Sequence, residues 1–378
     1  MRRLVMTAAV LMGMVLPAGA QTAEKEAPKP LVQVALLLDT SNSMDGLIEQ
    51  AKAQLWKVVN EFAMAKRDGA RAQLQVALYE YGNDNLAAEG GYIRMVLPLT
   101  TDLDKVSEEL FALKTRGGQE YCGQVIAVAT KDLAWSSAAS DLKAIFIAGN
   151  EPFTQGGVDY HGASKEAISK GITVSTIFCG PFDEGVKTGW KNGAVLADGD
   201  YMNIDQNRAI VSIPAPQDDE IARLGEQLNK TYIPYGAAGK AGHERQAEQD
   251  RNAASLAPAG ASVQRAVSKS SFQYTNASWD FVDAVEQGTV KVEEVKAEEL
   301  PEQMQKMTVE ERKAYTQAKA DERKALQEKI KGLNEERKKF VAEEMKKRAD
   351  SGENTLDAAI IRALARQAEK KSFELGGK

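Results

Sequence analysis

The sequence predicts an α/β protein: a doubly wound, mostly parallel sheet flanked by helices, followed by a separate C-terminal α-helical region. Three observations carry that expectation. Strand-like and helix-like patterns alternate over roughly 200 residues, the signature of βα units. The first strand-like run, Leu31-Val32-Gln33-Val34-Ala35-Leu36-Leu37-Leu38, is apolar almost throughout, as a strand covered on both faces is. Between 302 and 347 the helix formers Glu, Lys, Ala, Gln, Arg and Met take over. The chain has 378 residues, 43% hydrophobic, 27% charged and 6% aromatic, which suits a packed globule joined to solvent-rich helix.

The first twenty residues read as an export signal. Met1-Arg2-Arg3 is a basic start, Leu4 to Leu16 is an apolar run too short to span a bilayer, and Ala18-Gly19-Ala20 is a small-residue cleavage site. The expectation is a soluble exported protein, periplasmic or secreted, cut near Ala20, with no transmembrane helix. A Lys/Glu/Pro linker over 21–30 leads into the first strand.

After Asp39 a helical pattern runs from Asp45 to Lys66, with Leu47, Ile48, Ala51, Leu55, Val58, Val59 and Phe62 at spacings of three and four. Strands are expected at Leu74–Tyr81, Ile93–Leu97, Leu142–Ile147 and Thr173–Phe178. Helices are expected at Asp104–Leu113, Cys122–Trp135, Ala163–Lys170, Pro181–Leu196 and Asp218–Leu228. Residues 237–272, rich in Ala, Gly, Gln and Ser without an apolar period, read as a flexible linker. The remainder, 273–378, reads as a charged helical region. Helix signals return at Ser278–Val285 and after Pro301, and Leu326, Ile330, Leu333, Phe340 and Val341 form a narrow stripe of near-heptad spacing. A last helix, Thr355–Lys371, carries Leu356, Ile360, Leu364 and Ala368, and Ser351-Gly352-Glu353-Asn354 supplies a turn before it. An antiparallel hairpin suits these two helices better than one rod, with a homodimeric coiled coil as the alternative.

Charge excludes several functions. The net charge of −6 argues against a nucleic-acid binder. Residues 291–378 hold 21 basic and 19 acidic side chains, so the acidity belongs to the front domain. Two His and two Cys are too few for an array of zinc sites or a disulfide-stapled scaffold. No nucleophile–base pair is supported by His161 and His243, and no phosphate-binding glycine loop occurs.

The residues that carry chemistry are Asp39-Thr40-Ser41-Asn42-Ser43, an Asp-x-Ser-x-Ser at the carboxyl end of the first buried strand. Loops leaving that edge of an open sheet form the ligand site. One carboxylate and two hydroxyls in a single turn are hard oxygen ligands suited to Mg2+, although a serine there also serves as a helix cap.

With this pentad, in this place, residues 31–236 resemble the von Willebrand factor type A family, whose metal-ion-dependent adhesion site begins so. The resemblance implies a Rossmann-like sheet and a cation, Mg2+ or Mn2+, coordinated by Asp39, Ser41 and Ser43. The family's next ligand is a Thr or Asp in a Gly-Gly loop. Here that loop is Gly117-Gly118-Gln119-Glu120, which makes Glu120 the candidate. Its last ligand is the Asp of a Thr-Asp-Gly, where this chain has Ala148-Gly149-Asn150-Glu151, so Gly149 stands at the Asp position and Asn150 or Glu151, one or two residues further on, is the candidate oxygen, Asn150 being preferred. On the same map Cys122 and Cys179 fall on one rim, and a disulfide between them is expected in an exported protein. Asp84, Glu151, Phe153 and Tyr160 are the expected partner-binding rim, while His161, Tyr121 and Trp190 read as ordinary surface or packing residues.

The resemblance implies a non-enzymatic binding protein whose partner offers a carboxylate or other oxygen to the cation. Two alternatives stand beside it. One is a metal-free envelope scaffold assembled through the helical tail, which Gly149 favours. The other, a metal-dependent hydrolase, is disfavoured by the lack of an acid–base set.

Overall fold

A computed structural model describes residues 29–62, 64–208, 210, 212–256, 258, 260–347 and 355–375. The signal segment, nearly all of the first linker, and the Ser351–Asn354 turn lie outside the described residues. In chain order the elements are β1 (Leu31–Asp39), α1 (Asp45–Phe62), β2 (Lys66–Arg67), β3 (Ala70–Arg71), β4 (Gln73–Tyr81), β5 (Ile93–Thr100), α2 (Leu103–Ala112) and α3 (Cys122–Asp132). Next come β6 (Leu142–Gly149), α4 (Tyr160–Ser169), β7 (Thr173–Phe178), α5 (Phe182–Lys187), α6 (Trp190–Leu196), β8 (Tyr201–Asn203) and α7 (Asp218–Asn229). The C-terminal region adds α8 (Gly239–Ser255), α9 (Ala261–Lys269), α10 (Phe281–Glu286), α11 (Glu302–Gln305), α12 (Val309–Lys347) and α13 (Leu356–Lys370).

The main sheet has the order β5-β4-β1-β6-β7-β8. Its pairings are parallel except β4–β5, which is antiparallel and places β5 on an edge. β1 is therefore central, with β4 on one side and β6 on the other, and all nine of its residues pair with β4. Burial on both faces explains its nearly continuous apolar run. Alternate β1 residues feed two cores. Val32, Val34, Leu36 and Leu38 face α1 and α2, while Ala35 and Leu37 face α3 and α4.

The expected fold class is found, with four differences in detail. First, the expected helix Pro181–Leu196 is two, α5 and α6, broken where Gly189 adopts a φ of +98°. Second, β8 escapes the sequence pattern because it is only three residues long.

Third, 237–272 is not an unstructured linker: α8 and α9 occupy most of it. These helices bury polar side chains, so the sequence shows no apolar period. Gln249 Oε1 accepts from Ser107 Oγ of α2 at 2.8 Å, and Arg265 donates to Asp104 of α2 at 2.6 Å.

Fourth, α12 and α13 do not form a hairpin. The stripe residues Leu326 and Ile330 of α12 pack on Ile221, Leu224 and Leu228 of α7 and on Val263 of α9. Leu356, Ile360 and Leu364 of α13 join the sheet core beside α1. Lys57 of α1 pairs with buried Asp357 at 2.6 Å, and Glu374 bridges Lys66. The sheet offers α13 a broader apolar face than the narrow stripe of α12 does. Among the described residues, no helix is long and apolar enough to cross a membrane.

Candidate metal-binding site

The site grows from the end of β1. The strand delivers Asp39 into the crevice between the loops after β4 and β6, and Asp39 is fully buried. Its Oδ1 accepts the Ser41 backbone N–H at 2.8 Å, while its Oδ2 is buried without a hydrogen-bond partner. Burial pushes the Asp39 carboxyl up to about 7, against the Ser41 N–H that holds it down, with repulsion from Glu120 and Glu151 adding to the rise.

Ser41 opens a short 3-10 turn ahead of α1, and its side chain caps no helix hydrogen bond. Its hydroxyl lies 3.4 Å from that of Ser43 and faces the Asp39 and Glu120 carboxyls, whose charged forms it favours. Ser43 Oγ in turn accepts from Asn150 Nδ2 at 3.1 Å, which ties the pentad to the loop after β6. The loop between α2 and α3 comes in from the other side. Arg116 N–H donates to Thr40 O at 2.8 Å, Thr115 Oγ1 donates to Asp45, and Gln155 Oε1 accepts from Glu120 N–H at 2.6 Å. Glu120 ends buried, its carboxyl raised to about 7, first by burial and then by Glu151, with the Ser41 hydroxyl favouring its charged form.

Two glycines let these groups meet. A Cβ on Gly82, whose φ is +80°, would lie 2.8 Å from both Asp39 Oδ1 and Glu120 Cγ. A Cβ on Gly149 would lie 2.5 Å from the Tyr81 hydroxyl and 3.0 Å from Asp39 Oδ2. Tyr81 is buried and donates to Ala148 O at 3.0 Å. The phenol thus occupies the space a side chain at 149 would need, and Asn150 is the first residue after β6 that reaches the pentad.

Asp39, Ser41, Ser43, Glu120 and Asn150 are therefore gathered in one place. Among the described residues no three His, Cys, Asp or Glu side chains form a metal group, so the donor set is two carboxylates with two hydroxyls and an amide. Hard oxygens of this kind fit Mg2+ or Mn2+, and the partnerless Asp39 Oδ2 is the atom a cation would satisfy.

The disulfide expectation is corrected. Cys122 and Cys179 are free, buried thiols: Cys122 packs in the core on the α3 side of the sheet, Cys179 in the core on the α1 side. The rim is corrected in part. Phe153 and Tyr160 are buried beneath the loop after β6, in ring contact with each other at 5.1 Å, and Phe153 packs on Trp190 at 4.8 Å. Asp84 is exposed and pairs with Arg116 at 3.0 Å. Glu151 is half-buried and its carbonyl accepts from Trp190 Nε1 at 2.8 Å. His161 is exposed at the start of α4, bonded to Asp159 at 2.8 Å. Tyr81 and Gln155 belong to segments the sequence places around the rim, but their contacts with Ala148 and Glu120, and that of Thr115 with Asp45, carry no signal in residue type or spacing.

The von Willebrand factor type A domain family matches residues 33–187, a span from β1 through α5 that includes every one of these site residues. Residues 33–187 are a von Willebrand factor type A domain. A further C-terminal region follows the A domain, largely helical. Solved structures similar to the chain include the conserved hypothetical protein BatB from Bacteroides thetaiotaomicron, at 20% identity over 46% of this chain and 90% of that one, with a TM-score of 0.35. The VWA domain of SpRpn10 matches at 17% identity over 51% of this chain and 95% of that one, TM-score 0.35. The pilus adhesin SpaC from Lactobacillus rhamnosus GG matches at 14% identity over 47% of this chain and 28% of that one, TM-score 0.35. No curated protein matches the chain.

Proposed function

We propose that the A domain is a non-enzymatic recognition module that holds Mg2+ or Mn2+ through Asp39, Ser41, Ser43, Glu120 and Asn150 and uses that site to bind a protein partner. The observation that carries this reading is Asp39 Oδ2, buried and without a donor. A buried carboxylate oxygen left unpaired is costly. A divalent cation offsets that cost and lets Asp39 and Glu120 both ionise.

The chain's own residues do the positioning. Ser41 N–H orients Asp39, Gln155 fixes the Glu120 backbone, and Asn150 sets Ser43. A cation held by these residues would supply a positive centre that attracts an oxygen of the partner. Domains of this family typically mediate protein interactions, in keeping with this use. Export, before this binding, is proposed on the Met1–Ala20 pattern.

A metal-free scaffold is the second reading, favoured by Gly149 where the family has its last acid. Calorimetric titration of the purified protein with Mg2+ and Mn2+ separates the two. The metal reading expects saturable heat that disappears in the Ser41→Ala, Ser43→Ala variant. No heat from the native protein at millimolar ion leaves the scaffold reading standing.

A further inference from the structure

The loops that surround Asp39 share a second property. They leave the carboxyl ends of β1, β4, β6, β7 and β8, or join α2 to α3, and they cover 39–45, 82–92, 113–121, 149–160, 179–184 and 204–208. Together they hold ten Asp or Glu residues against three Lys or Arg. Most of these acids are exposed, and Asp84 spends its charge on Arg116. Asp183 and Glu184 stand exposed in the first turn of α5, and Glu151 is near enough to repel both Asp39 and Glu120. The acidity that composition assigned to the front domain is thus concentrated on one edge of it. A divalent cation removes two of these charges and leaves the edge strongly negative. Two apolar side chains on the same edge are exposed as well, Val158 at 39% and Phe182 at 46%.

From this we infer that the carboxyl edge of the A domain binds a basic protein surface, one that presents Lys or Arg side chains to the rim and a neutral oxygen, rather than a carboxylate, to the Asp39 site. The inference rests on the proposed metal-binding reading and specifies its partner. A partner carboxylate would enter a field that repels it, whereas Lys and Arg are drawn in, and like-charge juxtaposition is a strong filter on partners. Val158 and Phe182 give such a surface apolar contact at the margin of the site.

The test uses the full chain at low salt, where rim charges are least screened. Two peptide probes are titrated with and without Mn2+: a Lys/Gly decapeptide and a Glu/Gly decapeptide. They are compared on native protein, on a rim variant (Glu151→Gln, Asp183→Asn, Glu184→Gln), and on a control of equal net charge on exposed α12 positions (Glu328→Gln, Glu336→Gln, Glu343→Gln). The expected result is binding of the Lys peptide by native and control proteins, roughly tenfold weaker binding by the rim variant, and no Mn2+-dependent binding of the Glu peptide. Equal weakening in rim and control variants, or absence of Lys-peptide binding, overturns the inference. Mn2+-dependent capture of the Glu peptide overturns it while leaving the metal site intact. Failure of the metal reading shows separately, as absence of Mn2+ binding in the same titration without peptide.

Discussion

The Tyr81 hydroxyl and the α-carbon of Gly149 compete for one space: a first side-chain carbon at 149 would lie 2.5 Å from the phenol oxygen. The absence of an acid at 149 is therefore built into the core and not a gap at the surface. Gly149→Asp is expected to lower stability by about 1–3 kcal/mol, the usual range for overpacking a filled interior, without raising cation affinity. Adding Tyr81→Phe, which removes the clashing oxygen, should recover part of that loss. Urea denaturation midpoints of the three proteins check this.

Asp39 and Glu120 both titrate near 7, first because they are buried. A folded carboxyl raised above its ordinary value of about 4 holds a proton that the unfolded chain releases. Stability of the metal-free protein contributed by these groups is therefore greatest at low pH, falls as pH rises from about 4 to about 7, and is level above that. Stabilisation by Mg2+ should grow across the same window, since the cation binds the ionised forms. Melting curves from pH 5 to pH 8, with and without Mg2+ and compared with Asp39→Asn, measure both trends. A Mg2+ effect that is largest at pH 5 contradicts the assignment.

Because α13 completes the sheet core and does not pair with α12, cutting its apolar face should destabilise the A domain itself. Leu364→Ala is expected to cost about 2–5 kcal/mol. Hydrogen exchange of β1 and α1 amides should rise with it. If only α12 amides lose protection, the docking of α13 on the sheet is wrong.

Arg265 joins the A domain to the C-terminal helices. It donates to Asp104 of α2 at 2.6 Å and to Asp250 of α8 at 2.6 Å, stacks on Trp56 at 4.5 Å, and is almost fully buried. Tyr274 donates to the other Asp104 oxygen at 2.6 Å. Arg265→Met leaves Asp104 buried without its cation and is expected to cost about 3–5 kcal/mol. Asp104→Asn combined with Arg265→Met should be milder than the sum of the single changes, because the stranded charge is gone. A double-mutant cycle in urea reads this coupling.

The A-domain fold was legible because apolar pattern and buried strand coincide: the Leu31–Leu38 run reads as an interior strand, and the α1 spacing as a helix laid on it. The pentad stood out because it ends the first buried strand, whereas Glu120 and Asn150 were candidates only through the resemblance to the type A family. What stayed hidden depends on contacts the chain makes far from itself. α8 hides because its buried face is small and polar, with Gln249 bonded to Ser107 of α2, and α9 because it buries Arg265 and Lys269 beside its few apolar residues, with Arg265 bonded to Asp104 of α2. The cysteines misled because a place in the chain near one rim does not say which face of the sheet a side chain enters. Phe153 and Tyr160 misled likewise, since a Gly-rich loop can tuck its aromatics under itself and pack them on Trp190.

The measurement closest to the central claim is an anomalous diffraction map of crystals grown with Mn2+. The account predicts a single strong peak at the carboxyl end of β1, bonded at about 2.2 Å to oxygens of Asp39, Ser41 or Ser43 and Glu120, with Asp39 Oδ2 no longer unpartnered. A map with no peak at Asp39, from crystals whose Mn2+ concentration is millimolar and whose pH is above 7, would contradict it.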